Sequence, residues 1–376
     1  MDMTIMVILA LKLLLFVVGL SCLLSPLVLV LARAYAVVAG CVNYESHANI
    51  ITVSCNENLS EIDKAVNNRS VLEKDSHGTW ILNATIKINP QATLTIDQTD
   101  TSWLKIANRN HIEPNFISVS GKVKIDGVKI TSWDPFANDV IRQNVNGSIP
   151  RPYIIIDKGS ETANISNSEI AFLGYASNRG GANGFLYDRG GDGSSILNNT
   201  FHNMWDGFYS DSVGFITIKN NIYYNNLRYG IDPHSGSHNL SIVGNLVYNN
   251  SQIGIICSKD CYNILFSNNV VHDNGVAGLM FSLDTNNSVA KKNYAYNEKV
   301  GFSIYQSSND KIYNNLVKSS NTGIYLAGSS LGNHIYNNTI MNGTVGLYLH
   351  LDNNSKNNIY ENNNLNNISQ PIKRYQ

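Results

Sequence analysis

Short alternating runs of apolar and polar residues fill the second half of this chain, and each run is anchored by a glycine. They read Asp206-Gly207-Phe208-Tyr209, Tyr229-Gly230-Ile231-Asp232, Ile253-Gly254-Ile255-Ile256, Ala277-Gly278-Leu279-Met280, Val300-Gly301-Phe302-Ser303, Thr322-Gly323-Ile324-Tyr325 and Val345-Gly346-Leu347-Tyr348. The glycines fall 22 to 24 residues apart, and Gly184 extends the series one step back. A second series interleaves with it: Asn199, Asn221, Asn245, Asn269, Asn293, Asn315 and Asn338, each opening a short strand. Self-similarity at this period marks a solenoid, in which each unit buries its face only against its neighbours. The Leu-x-x-Leu-x-Leu signature of leucine-rich repeats is absent. Short β-branched and aromatic strands with Asn and Gly at the corners predict an all-β, right-handed parallel β-helix of 22–24 residues per turn. Asn suits such corners because it tolerates left-handed backbone and because stacked Asn side chains hydrogen-bond from turn to turn. Eight or nine turns at about 4.8 Å each predict a rod roughly 40 Å long plus its cap.

Alternation assigns sides. The position after each glycine is uniformly apolar and therefore inward, the next outward, the third inward and the fourth outward. Ile231 and Pro233 are thus expected in the core, with Asp232 and His234 facing solvent. Tyr209 precedes Asp232 in one outward column, and Asp188 and Asp211 precede His234 in the other. Upstream, Thr79–Ile88, Ala92–Ile96, Ile117–Val119 and Val123–Ile130 alternate at period two and read as strands. Residues 133–152 read as a long loop. This divides the chain into an N-terminal segment (1–40), a cap with the first turns (41–152) and the regular repeats (153–376).

Residues 4–31 are almost continuously apolar and long enough to cross a bilayer as a hydrophobic helix. Their length favours a retained anchor. Ala34-Tyr35-Ala36 also offers a signal-peptidase site, and Val38-Ala39-Gly40-Cys41 resembles a lipoprotein box. Every one of these readings puts residues 42–376 outside the cytoplasm, membrane-anchored or secreted. Sequons at Asn58, Asn68, Asn83, Asn146, Asn164, Asn239, Asn342 and Asn367 permit glycosylation there. Of five cysteines, Cys41/Cys55 and Cys257/Cys261 form local pairs that an oxidising compartment would allow as disulfides. Cys257 read by itself is equally a small core residue. With 15% charged residues and a net charge of −1, the chain is too neutral to bind nucleic acid by bulk electrostatics.

One turn departs from the repeat. Tyr229-Gly-Ile-Asp232-Pro-His234 occurs once, shares a side with Tyr209 and Asp211, and is followed one turn later by Lys259. A lone histidine on a solenoid is usually no more than an exposed polar side chain; this setting makes it a candidate site. The stretch Tyr229–His234, then Ser237-His238-Asn-Leu-Ser-Ile, then Gly254-Ile-Ile-Cys-Ser-Lys259 resembles the catalytic region of mannuronan (alginate) C5-epimerases of the periplasmic single-domain type. The resemblance covers roughly residues 165–350 and is strongest across 207–283. Ile130-Thr-Ser-Trp133-Asp134 is similar as well. It implies a right-handed β-helix acting on polyuronates, with His234 and Tyr229 in proton transfer and Asp232 as the supporting acid. Lys259 stands where that family has an arginine beside the substrate carboxylate, and Ser235 where it normally has an acid. Tyr209, Asp211, Asp188 and Arg189 are the expected substrate-binding residues.

The chemistry is consistent with that set. A proton α to a carboxylate is removed only once the carboxylate charge is neutralised, a task for Lys259. His234, with a reference pKa near 6.5, serves as base, and Tyr229 returns a proton from the other face. The reaction needs no cofactor. No metal-ligand cluster of usable spacing appears, and a calcium role is compatible with the resemblance. The expected partner is an acidic polysaccharide. Loss of the C4 oxygen from the same intermediate would make the chain a lyase. The rivals from other classes are a non-catalytic carbohydrate-binding or envelope β-helix and an accessory protein for metal loading, the latter disfavoured by the lack of Met/His clusters.

Overall fold

The computed structural model describes residues 40–108, 112–177 and 181–375. The apolar segment 4–31 lies outside these residues. Among the described residues no helix is long and apolar enough to cross a membrane.

The described chain is a three-sided parallel solenoid, wound right-handed, the sense that parallel crossovers take. One side is a 12-stranded parallel sheet running from Glu57–Asn58 to Ile359–Glu361. The other two sides are joined into a 25-stranded sheet. One strand per coil on the first side makes twelve coils, which at about 4.8 Å each is a rod of about 55 Å. That is longer than the regular repeat predicts, because the front section also coils: Ile86 pairs with Ile117, and Ile117 with Ile154. Those early coils take 31 and 37 residues, so their period is hidden. Thr79–Ile88 is two strands, Thr79–Leu82 and Thr85–Ile88, separated by a corner at Asn83-Ala84.

The helix Leu59–Val66 covers the N-terminal end, burying Leu59 and Ile62 in the core. It starts at Asn58, whose side chain accepts from Glu61 N, while the Glu61 carboxylate accepts from Asn58 N. Cys41 and Cys55 form a disulfide that ties the hairpin Val42–Glu45/Ile50–Val53 to this end. Cys257 and Cys261 do not pair and are buried free thiols, which corrects the second disulfide. Cys261 Sγ instead donates to Ser258 O (3.3 Å), as Ser237 Oγ does to His234 O and Thr285 Oγ1 to Ser282 O. The thiol replaces a turn hydroxyl.

The asparagine series is a buried ladder. Each Nδ2 from Asn199 to Asn338 donates to the next Oδ1 at 2.9–3.1 Å, and each Oδ1 also accepts a backbone N–H of the preceding coil. The left-handed corner is the residue just before, as at Asn198, Asn220, Asn268 and Asn337. Corner and ladder, expected in one asparagine, are divided between two. The glycine column has a separate cause. A Cβ on Gly230 would lie 2.4 Å from Val247 Cγ1 and 2.5 Å from the Gly254 carbonyl oxygen, so only hydrogen fits between successive coils.

Candidate functional site

The predicted sides hold strand by strand. Phe208, Ile231, Ile255, Leu279 and Phe302 are buried in register, and Asp188, Asp211 and His234 stack in one outward column. Tyr209 pairs with Asp232 in the adjacent outward column. Pro233 and Ile231 are buried and His234 is half-buried.

Asp232 is the correction. It points outward but is fully buried rather than solvent-facing. Arg228 closes over it, with Nη2 3.6 Å from Asp232 Oδ2, and the same guanidinium reaches Asp206 Oδ1 at 3.4 Å. Asp206 is also buried and accepts from Asn183 Nδ2 (2.8 Å) and Tyr229 N (3.3 Å). Among the described residues neither carboxylate oxygen of Asp232 has a hydrogen-bond partner. Burial, then the neighbouring Asp206, pushes the Asp232 carboxyl well above the usual range, with Arg228 opposing. Two buried carboxylates thus share one cation.

Arg228 was not expected. The signal for it is that it is the only arginine between Arg189 and Arg374. Its guanidinium also lies 4.5 Å from the Tyr229 ring centroid and 5.9 Å from that of Trp205. Trp205 is in turn clasped by the loop 134–152: a Cβ on Gly147, where φ is +65°, would collide with its ring. Buried Arg151 pins that loop by donating to the carbonyls of Leu173, Gly174 and Asn203 at 2.7–2.9 Å. The result is a cleft of 590 Å³ walled by Tyr175, Asn183, Trp205 and Arg228 and by the expected Asp188, Arg189, Tyr209 and Asp211. Arg189 is occupied by its neighbour, with Nε 2.8 Å from Asp188 Oδ1.

His234 lies one coil beyond Tyr209 and Asp211 of this cleft, outside its lining. Its ring stacks on that of Tyr209 at 5.4 Å, and its Nδ1 lies 2.6 Å from Ser235 Oγ. Burial and then the Lys259 charge lower its pKa, against Asp211, which raises it. The imidazole is therefore biased towards its neutral, proton-accepting form. Burial raises the Tyr209 and Tyr229 hydroxyls, so both keep their protons near neutrality. Lys259 is exposed just past the strand Ile253–Ser258, in left-handed backbone (φ 62°). Tyr229 packs on Ile253 and Ile256 beyond the cleft wall.

Residues 138–271 match the family model described as right handed beta helix region. Residues 234–370 match the one described as periplasmic copper-binding protein (NosD). The mannuronan C5-epimerase of Pseudomonas fluorescens is 30% identical over 184 residues, 46% of this chain and 34% of that protein. By sequence, this chain is similar to the mannuronan C5-epimerases. That of Pseudomonas syringae pv. tomato is 27% identical over 194 residues, 49% of this chain and 35% of that protein. The chain spans about a third of the length of the curated relatives it matches. The fold is also that of the crystal structure of the periplasmic alginate epimerase AlgG: TM-score 0.76 at 23% identity, over 87% of this chain and 85% of that one. The A-module of the Azotobacter vinelandii mannuronan C-5 epimerase AlgE4 gives 0.57 at 14% identity, over 88% and 90%.

Proposed function

We propose that this chain inverts C5 of uronate residues in an acidic polysaccharide of the mannuronan type, outside the cytoplasm. The observation that carries the reading is His234: a base-biased imidazole stacked on Tyr209, a protonated tyrosine of the cleft wall, within the motif that resembles the epimerases. The substrate carboxylate lies towards Lys259, whose positive charge offsets the charge that builds as the C5–H bond breaks. With Nδ1–H donated to Ser235 Oγ, His234 Nε2 holds the lone pair that takes the C5 proton. Ser235 thereby does the orienting that an acid does elsewhere. The electron pair is delocalised into the carboxylate. Tyr229 returns a proton to C5 from the opposite face, and solvent restores both groups. Asp232 acts through Arg228 and Tyr209, holding the wall of the cleft in place. The Cys41–Cys55 disulfide and the apolar segment 4–31 support an extracytoplasmic location.

The test is proton NMR of polymannuronate incubated with the protein in D₂O. Deuterium should enter C5 with conversion to the C5 epimer, and His234→Ala should lower the rate by about 10²–10⁴-fold. A new ultraviolet-absorbing unsaturated end would make the chain a lyase. Binding without exchange would leave only a glycan-binding function.

A further inference from the structure

The column that carries His234 continues along the same face through Ser258, Ser282, Tyr305, Ala327 and His350. Ser258 and Ser282, the next two residues of the column, are small and buried, so no large side chain of the column stands between the candidate base and Tyr305. Three coils on, about 14 Å at 4.8 Å per coil, the side chains become aromatic. Here lies a hollow of 370 Å³, floored by Ala327 and Gly328. Tyr305 forms one wall, and His350 with Tyr375 the other, with the Tyr325 ring along the side. Tyr305 and Tyr375 are 37% and 59% exposed, so their rings are not consumed by packing. A side chain at Gly328 would press on the Tyr305 ring, its Cβ 3.3 Å from Cε2; the glycine keeps the hollow open.

The polar groups here match a sugar. Tyr325 Oη and His350 Nδ1 hydrogen-bond each other at 3.1 Å, so the tyrosine oxygen's remaining lone pair and His350 Nε2 are the groups available to a sugar hydroxyl. The Asp352 carboxylate accepts from Ser329 and from the turn N–H groups of Asn354 and Ser355, which fixes it as an acceptor at the rim. Outside the lining, Lys373 Nζ lies 4.3 Å from the ring centroid of Tyr348, itself next to Tyr325 and His350, so the nearest cation to the hollow is held on that ring. Aromatic faces take the C–H face of a pyranose, and Ala327 is the gap between two walls into which one such ring inserts.

We propose that this hollow is a second subsite for the same glycan, holding a sugar about three to five units from the one at His234, at roughly one sugar per coil. The proposal rests on the reading of the His234 cleft as a polyuronate site, and its test separates the two. The full chain is given mannuronate oligomers of about three sugars, confined to one site, and of about ten, which span both at one sugar per coil. Tyr305→Ala and His350→Ala, from opposite walls, should each raise KM for the long oligomer about three- to tenfold, the worth of one aromatic contact. The turnover number, and both constants for the short oligomer, should stay unchanged. The same substitutions in a His234→Ala background should weaken binding of the long oligomer alone, measured by NMR titration. If the unsubstituted chain never exchanges C5 but this length-selective binding holds, the subsite stands and the catalytic reading fails. If exchange occurs while both lengths bind alike, or the variants weaken both equally, the subsite is overturned.

Discussion

His234 is pulled in two directions by groups around it. Burial and Lys259 lower its pKa and Asp211 raises it, with the lowering stronger. A base must be unprotonated, so exchange should persist below pH 6.5, the ordinary imidazole value, before its acid limb appears. Lys259→Ala removes one lowering influence, and the His234 Cε1–H resonance should then titrate at higher pH; an unchanged midpoint would show that Lys259 does not act on it. Arg228 is open to a sharper experiment. Arg228→Gln leaves Asp206 and Asp232 facing each other without a cation, which should cost about 3 kcal/mol of stability at neutral pH. The penalty should shrink as pH falls and both carboxyls take protons. Asp232→Asn added to Arg228→Gln should restore most of the loss, and simple additivity of the two in a urea-unfolding cycle would contradict the shared-cation arrangement.

Among elements, the asparagine ladder is the main polar support of the coils. Asn269 accepts from Asn245 N and Nδ2 and donates to Ile242 O and Asn293 Oδ1, all at 2.9–3.0 Å and all buried. Asn269→Ala strands these partners inside the core, so the urea midpoint should fall by the equivalent of about 3 kcal/mol. Asn363 at the end of the ladder is half-exposed, and Asn363→Ala should cost much less because water replaces its contacts. The helix Leu59–Val66 is a local counterpart. Its Asn58-x-x-Glu61 capping box and the helical spacing of Leu59, Ile62 and Val66 are both present in the sequence, but eight residues are too few to stand out among so many strands.

For the molecule as a whole, stacking makes each coil's chemistry depend on the next. A second ladder, Asn226–Asn250–Asn274, ends on the carboxylate of Glu298, which accepts from Asn274 N and Nδ2. Burial raises Glu298 to about 8. The folded state therefore holds this proton more tightly than the unfolded chain does. Its contribution to stability is complete below the ordinary value of about 4.5, declines as pH rises, and is gone above about pH 8. Glu298→Gln keeps an acceptor and removes the titration. Its melting temperature should vary less than that of the unsubstituted protein between pH 4.5 and 8; equal slopes would refute the assignment.

Local pattern alone determined the solenoid. The glycine and asparagine periods, the inward and outward columns and the pairing of Asp188, Asp211 and His234 all follow from period-two alternation and a constant coil length, which sequence spacing records directly. The Cys41–Cys55 bond was legible for the same reason, its partners being close in the chain. What only the tertiary structure decided depends on residues that meet from different coils. Asp232 points outward as its position requires, but its burial is settled by Arg228, four residues back and folded over it, and by Asp206 one coil earlier. The cleft wall depends on Trp205, on the loop that carries Gly147, and on Arg151 reaching carbonyls more than twenty residues away. Cys261 is a free thiol that donates to a coil carbonyl where its neighbours use hydroxyls, a contact made across the turn and invisible in cysteine spacing. Outward or inward is a property of a strand; exposure, charge state and the shape of a cleft belong to the side chains that neighbouring coils bring over it.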